Sequence, residues 1–307
     1  MTDRVTSPFF SIVIPSYNRQ DSVQSTINSI LTQSFNSYEV IVVDDGSTDN
    51  TFEVLTGVYA DQPAVKIIHQ ENKERGAARN YGLSQARGKY VEFLDSDDLL
   101  LEDHLKLLSD KICELNFPDF ICTKFELFRD GKSYPSDIHT LPEDYYNYSL
   151  FLSGNPLACN ICVRRENADL HLFEEDRSYS IKEDWMFMLQ NLRYNRVYII
   201  DKVSIRMNDH DDRSMRSDNK LIVQRTLKAQ EWIVKNVPLD TEEKKALEAH
   251  CNYFCSIHSY IENDRKNALT FIRRSIDLMG FKKIYSILLL KIIVGKKLMD
   301  KIKSVIR

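Results

Sequence analysis

The sequence predicts an α/β protein: a mostly parallel, Rossmann-like sheet flanked by helices, followed by a C-terminal helical region. Short Ile/Val-rich runs alternate with amphipathic helical periods over the first two-thirds of the chain. Three of those runs end in polar or acidic turns, Pro15-Ser16-Tyr17, Asp44-Asp45 and Asp95-Ser96-Asp97. In parallel sheets the ligand site lies beyond the C-terminal ends of the strands, so these turns predict one rim. From about Asp218 the pattern is helical to the end. We place one domain at residues 1–218 and a helical region at 219–307, of which 281–307 is a basic amphipathic tail.

Taken in order, Phe9 to Tyr17 is the first strand, rich in Ile and Val and stopped by Pro15. Asp21 with Gln24 has capping-box spacing before Val23, Ile27, Ile30 and Leu31, which recur at helical intervals. Glu39 to Val43 is the second strand. A helix follows from about Asn50, then a short strand over Val65–Ile68. Gly76 to Ala86 is predicted helical, and Tyr90–Leu94 is the buried strand that delivers Asp95, Asp97 and Asp98. Glu102 to Leu115 is helical and Asp119 to Phe128 a strand. Asp130 to Tyr148, rich in Tyr, Pro, Ser and Asp, is predicted to be a long loop. Glu183-Asp184-Trp185 opens an amphipathic helix, and Val197–Ile200 is apolar, with a polar loop after it. Asp240-Thr241-Glu242-Glu243 is a capping box.

Composition narrows the function classes. Charged residues are 28% and hydrophobic ones 43%, which argues against extensive disorder. A net charge of −4 gives no electrostatic reason to expect nucleic acid as a partner. The first eight residues lack the apolar core of a signal peptide, and no run of about 18 apolar residues exists. A cytoplasmic location is therefore expected, with the six cysteines as free thiols. Cys159-x-x-Cys162, or Cys251, Cys255 and His258, offer half of a zinc site without a matched second half; small buried apolar side chains are the favoured reading.

The tail admits two readings. Phe281 to Lys297 is a cationic helix with a large apolar surface, continuing to Lys301, Lys303 and Arg307 with only Asp300 acidic. That composition suits a helix lying on a membrane surface, with Lys291 interrupting the run and arguing against spanning. The alternative is a core helix whose lysines snorkel outward.

Clustered carboxylates at a strand end repel each other and are costly to desolvate, so Asp95, Asp97 and Asp98 point to a shared cation. An oxygen-only set suits Mg²⁺ or Mn²⁺ completed by water and a diphosphate. Asp45 can accept from a base N–H or from ribose hydroxyls, beyond what an Asp-Gly turn requires. Arg75 and Arg79 flank a helix N-terminus, which suits phosphate, though each alone also fits a solvated face. Asp184 reads equally as a dipole-favoured acid or as a general base. Arg206, His210 and Ser214 fall in the polar stretch after Val197–Ile200.

Five segments in order, Ile12–Asn18, Val42–Asp49, Gly76–Gly82, Phe93–Asp98 and Glu183–Trp185, resemble glycosyltransferase family two, whose fold is GT-A. The resemblance implies an inverting, metal-dependent transferase of the bacterial surface-polysaccharide type. On it Pro15 and Tyr17 border the nucleobase and Asp45 bonds it, most plausibly as uracil. Asp95-Ser96-Asp97 is the Asp-x-Asp motif, with Asp97 the direct ligand of Mn²⁺ or Mg²⁺ and Asp95 and His210 beside it. Ser96, Arg75, Arg79, Glu183 and Arg206 complete the nucleotide-sugar set, and Asp184 is the catalytic base. The donor is expected to be a UDP-hexose or UDP-N-acetylhexosamine. The acceptor is expected to be a saccharide, lipid-linked in view of the tail, at the inner face of the membrane. Two other readings stand beside it. A haloacid dehalogenase-like phosphatase lacks its Thr or Val at Leu99, and a non-catalytic sugar-nucleotide scaffold leaves Glu183-Asp184-Trp185 without a use.

Overall fold

A computed structural model describes residues 7–210 and 218–295. Ser214, the neighbouring Asp211-Asp212-Arg213 and the tail beyond Gly295 lie outside the described residues. The chain divides into two compact units. One comprises the chain up to Tyr148 together with Pro156–His210, and the other Ser149–Asn155 with the chain after His210.

The first unit is built on one sheet of ten strands, mostly parallel and flanked by helices, as the sequence predicts. Its strands are β1 (Phe10–Ser16), β2 (Tyr38–Asp45), β3 (Val65–Gln70), β4 (Tyr90–Phe93), β5 (Leu99–Leu100), β6 (Phe120–Arg129), β7 (Lys132–Pro135), β8 (Asp144–Tyr146), β9 (Ile161–Arg164) and β10 (Val197–Asn208). The order is β3-β2-β1-β4-β9-β6-β10-β5, with β7 on β6 and β8 on β10. Strands β3, β2, β1 and β4 are parallel, and β10 is parallel to β6, while β9 runs antiparallel between β4 and β6. Val40–Val43 and Ile12–Ile14 are fully buried, the continuous apolar runs expected of strands covered on both faces. The order reverses direction between β1's two neighbours, β2 and β4, and that switch point opens the crevice where open α/β sheets hold ligands.

Helices α1 (Val23–Leu31), α2 (Thr51–Val58), α3 (Glu74–Gln85), α4 (His104–Glu114) and α5 (Glu183–Leu192) fill the crossovers. Three local expectations are corrected. Asp21 and Gln24 do not form a capping box, because α1 starts at Val23 with Ser22 as its N-cap and no side-chain capping bond. The Asp130–Tyr148 stretch contains β7 and β8, which find backbone partners on β6 and β10. Arg206 lies in a strand, not a loop. β10 continues through polar residues because β6 and β5 pair with it there, in spite of register shifts between Ile200 and Ile205.

The second unit contains α6 (Asn219–Asn236), α7 (Thr241–Ile261), α8 (Arg265–Met279) and α9 (Lys283–Val294). Asp218, Asp240 and Asp264 cap the first three, and the Asp240–Glu243 capping box is complete. Each such cap contributes about 1 kcal/mol. Tyr285, Leu288 and Ile292 of α9 pack with Ala268 and Ile272 of α8.

Candidate active site

The site grows from three strand ends. At the end of β2, Gly46 sits at φ +71°, and a Cβ there would press on the Asn72 backbone. The turn this allows leaves Asp44 and Asp45 on opposite faces, as strand alternation requires. Asp45 Oδ1 accepts from Gln70 Nε2 at 2.7 Å and from the Lys73 amide at 2.8 Å. Burial nonetheless lifts its carboxyl above the ordinary aspartate value. Asp44 Oδ2 lies 2.7 Å from His69 Nδ1. Pro15 on β1 is opposite Val43 of β2, and Tyr17, two residues further on, is exposed.

Helix α3 joins this end of the sheet to the next. Arg79 is only 2% exposed. Its Nη2 donates to Asp95 Oδ1 at 2.8 Å and its Nη1 to Glu183 Oε1 at 2.9 Å. Burial opposes the guanidinium charge, but the surrounding carboxylates, Asp95, Glu183 and Asp184 among them, outweigh it and hold the group charged. The sequence reading gave Arg79 to phosphate. The structure turns it inward as the strut between the two acidic segments. Arg75, half-exposed on the same helix, reaches Glu183 Oε1 at 3.9 Å. Asn80 clamps the chain before α5: its Nδ2 donates to Phe173 O at 2.9 Å and Glu175 Oε1 at 2.8 Å, and its Oδ1 accepts from the Phe173 amide at 3.0 Å. Gly76 is required by contact, since a Cβ would collide with the Glu174 carbonyl oxygen. Asp184 follows Glu183 in the first turn of α5, half-buried, its Oδ1 accepting from the Trp185 amide at 2.8 Å. Ile181 just before it has φ +69°, a strained value for a β-branched residue.

At the end of β4, Asp97 Oδ2 lies 3.0 Å from His210 Nε2 and 3.7 Å from an Arg19 guanidinium nitrogen. Ser96 is buried between the two aspartates. Asp98 is also buried, its Oδ1 accepting from the Asn208 amide at 3.0 Å, which makes it a tie to β10. Asn208 Nδ2 bonds the Asp97 carbonyl in turn. Arg206 is engaged elsewhere: its Nε donates to Glu126 at 2.7 Å and its guanidinium stacks over Phe128.

Asp95, Glu183, Asp184 and Arg75 thus gather around Arg79, and Asp97, on the same loop as Asp95, meets His210 from the end of β10. Arg19, Gln70 and Asn208 escaped the sequence reading. For Gln70 the signal was its strand register opposite Asp45. Arg19 and Asn208 are single polar residues with no pattern around them.

A divalent cation can be tested against this donor set. Among the described residues no group of three or more His, Cys, Asp or Glu side chains converges on one point. Asp97 and His210 converge as a pair, which leaves most of a shell to water and diphosphate oxygens, the mode Mg²⁺ prefers. The imidazole favours the transition ion Mn²⁺. The residues fit such an ion held jointly with a substrate.

The fold and its rim define a Rossmann-like α/β protein of the GT-A type. The Glycosyl transferase family 2 model matches residues 11–168, more than half of the sequence, and the chain belongs to that family. A protein of Rickettsia felis named as an uncharacterized glycosyltransferase is 33% identical over 171 residues, 54% of this chain and 27% of its own length. The putative teichuronic acid biosynthesis glycosyltransferase TuaG of Bacillus subtilis is 30% identical over 189 residues, 60% of this chain and 73% of TuaG. The chain therefore spans about a quarter of the first relative and nearly three-quarters of the second. The crystal structure of S. aureus TarS 1–349 in complex with UDP-GlcNAc superposes with a TM-score of 0.66 at 22% identity, covering 88% of this chain and 81% of that 1–349 chain.

Proposed function

We propose that this protein transfers a sugar from a UDP-sugar, a UDP-hexose or UDP-N-acetylhexosamine, to a hydroxyl of a saccharide acceptor in polysaccharide biosynthesis. The observation that carries the reading is the Arg79 strut, which holds Asp95 and the Glu183-Asp184 pair on one rim. The likeness to a protein solved with UDP-GlcNAc, and the similarity to TuaG, support donor and pathway class.

Asp45, on this reading, accepts from the uracil N–H, with Pro15 and Tyr17 bordering the ring. Asp97 and His210, with Asp95 beside them, would hold Mn²⁺ or Mg²⁺. When bound, that ion neutralises charge on the leaving diphosphate. Arg75 supplies a further cation on the rim. Asp184 takes the proton of the acceptor hydroxyl as the oxygen attacks the anomeric carbon from the face opposite UDP. One base and one displacement give inversion. The acceptor is lipid-linked in this reading, because the C-terminal region has the composition of a surface that meets anionic lipid.

The test is a panel of nucleotide-sugars scored for Mn²⁺-dependent release of nucleoside diphosphate, with anomeric configuration read by NMR. UDP release from one donor and an inverted product are expected. Wild-type protein that releases nothing from any donor and binds no UDP would refute the reading.

A further inference from the structure

A buried side-chain relay, outside the donor site, joins the two strands that carry Asp97 and His210. Glu92 on β4, His104 at the start of α4 and Ser204 on β10 are all nearly solvent-free. His104 Nε2 lies 2.8 Å from Glu92 Oε1, and His104 Nδ1 lies 2.8 Å from Ser204 Oγ. The two contacts hold the imidazole between a carboxylate and a hydroxyl, one at each ring nitrogen. The imidazole is rigid and its two nitrogens face opposite ways, so it sets the spacing between Glu92 and Ser204.

The relay's position gives it a consequence. Glu92 and His104 stand at the two ends of the segment that contains Asp95, Ser96, Asp97 and Asp98, and their bond closes that segment at its base. Ser204 precedes Asn208 and His210 on the strand that meets the same segment higher up. The pairing of β10 with β6 shifts register between Ile200 and Val203 and again between Val203 and Ile205. Beyond the second shift β10 pairs regularly again with β6 and with β5, so the Ser204 side chain meets His104 at the point where the strand regains its register. Stability is a poor explanation for the relay. Burying a carboxyl group is costly unless its oxygens are bonded, and Glu92 Oε2 is buried with no hydrogen-bond partner.

We propose that His104 is a positioning residue. Through Glu92 and Ser204 it sets the separation of Asp97 and His210, and with it the affinity of the pocket for a divalent cation bound together with a nucleoside diphosphate. The proposal rests on the donor-site reading above.

The experiment is an EPR titration of Mn²⁺ with full-length protein in the presence of UDP, alongside UDP binding without metal and thermal unfolding. Ser204→Ala removes only the tie to β10 and leaves the Glu92–His104 bond intact. Its Mn²⁺ affinity is expected to fall about 10-fold, the scale typical of residues that orient metal ligands, with metal-free UDP affinity and folded fraction unchanged. Glu92→Gln is expected to weaken Mn²⁺ binding at least as much, and if it does not fold, Ser204→Ala decides alone. A merely structural role lowers the melting temperature and leaves Mn²⁺ affinity of the folded protein untouched; that result in Ser204→Ala overturns the proposal. Wild-type protein that binds neither Mn²⁺ nor UDP overturns the donor-site reading and this inference with it.

Discussion

Three side chains of the rim carry separable demands. On the proposed reading Asp184 acts as the base and holds no part of the nucleotide. Asp184→Asn should keep UDP affinity within about threefold and lose roughly 10²- to 10⁴-fold in transfer, measured by calorimetry and by UDP release. Arg79 serves two carboxylates at once, and Glu183 is as buried as Arg79 itself. Arg79→Ala leaves the buried Glu183 with only the half-exposed Arg75, 3.9 Å away, as a cationic partner, at a cost of roughly 3 kcal/mol, read from urea unfolding. The part-exposed Asp95 contributes little of that, because water can solvate it. Asp45 presents the opposite balance. Burial raises its pKa in the folded protein, so the folded state binds its proton more tightly than the unfolded chain. Its contribution to stability is present at low pH and is lost as pH rises through the raised pKa. Asp45→Asn should therefore melt above wild type at neutral pH, with the gap closing as the medium is acidified, while binding UDP more weakly. A melting temperature below wild type at pH 7 would contradict this account of Asp45.

At the scale of elements, α3 is the jig of the site, and it shows what the sequence makes legible. The alternation of strands and helices, the carboxylate turns and the ordered motifs were readable because each is a local pattern of composition and spacing. The face of α3 was not. Gly76, Arg79, Asn80 and Leu83 fall at the spacing of a buried helical stripe, yet only Leu83 is apolar, so the stripe is invisible to a rule that seeks hydrophobic periodicity. Arg79 reads as a surface cation until Asp95 and Glu183 are seen to close on it from distant parts of the chain. Arg206 was misjudged for a related reason: polar residues look like loop until tertiary pairing with β5 and β6 supplies the backbone bonds. The jig makes its own prediction. Gly76→Ala puts a methyl into the Glu174 carbonyl, and backbone cannot rotate away as a side chain does. The strand of chain leading to Glu183 and Asp184 must shift. Transfer should fall at least tenfold, with a stability loss of about 1–3 kcal/mol, checked by comparing kcat with the urea midpoint. Near-normal kcat would mean that the clamp is not needed for Asp184.

On the scale of the whole molecule, charge is distributed unevenly. The chain carries −4 in all, but residues 265–307 hold twelve Lys and Arg against two Asp, a local charge of +10. The remainder is therefore at −14, the difference between those two values. Such asymmetry suggests an anionic partner for the basic end. Helix α9 adds an apolar one. It is hydrophobic on both sides: Tyr285, Leu288 and Ile292 face α8, while Ile287, Leu290 and Ile293 are exposed, Leu290 by 61%. A helix apolar all round belongs in an environment that covers both faces. Lys283 and Lys291 on this helix, and Lys282 at its N-cap, suit anionic headgroups, each contributing on the order of 1 kcal/mol near such a surface. No helix among the described residues is long and apolar enough to cross a membrane, so contact would be in the interface plane. Full-length protein should sediment with vesicles containing anionic lipid and much less with neutral ones. Ile287→Ser combined with Leu290→Ser removes exposed apolar surface without touching the α8 contact. That variant should keep its melting temperature and its UDP affinity but lose most vesicle binding. Raised salt should weaken the wild type through screening of the lysines. Undiminished vesicle binding by the double variant would assign the outer face of α9 no role in lipid contact.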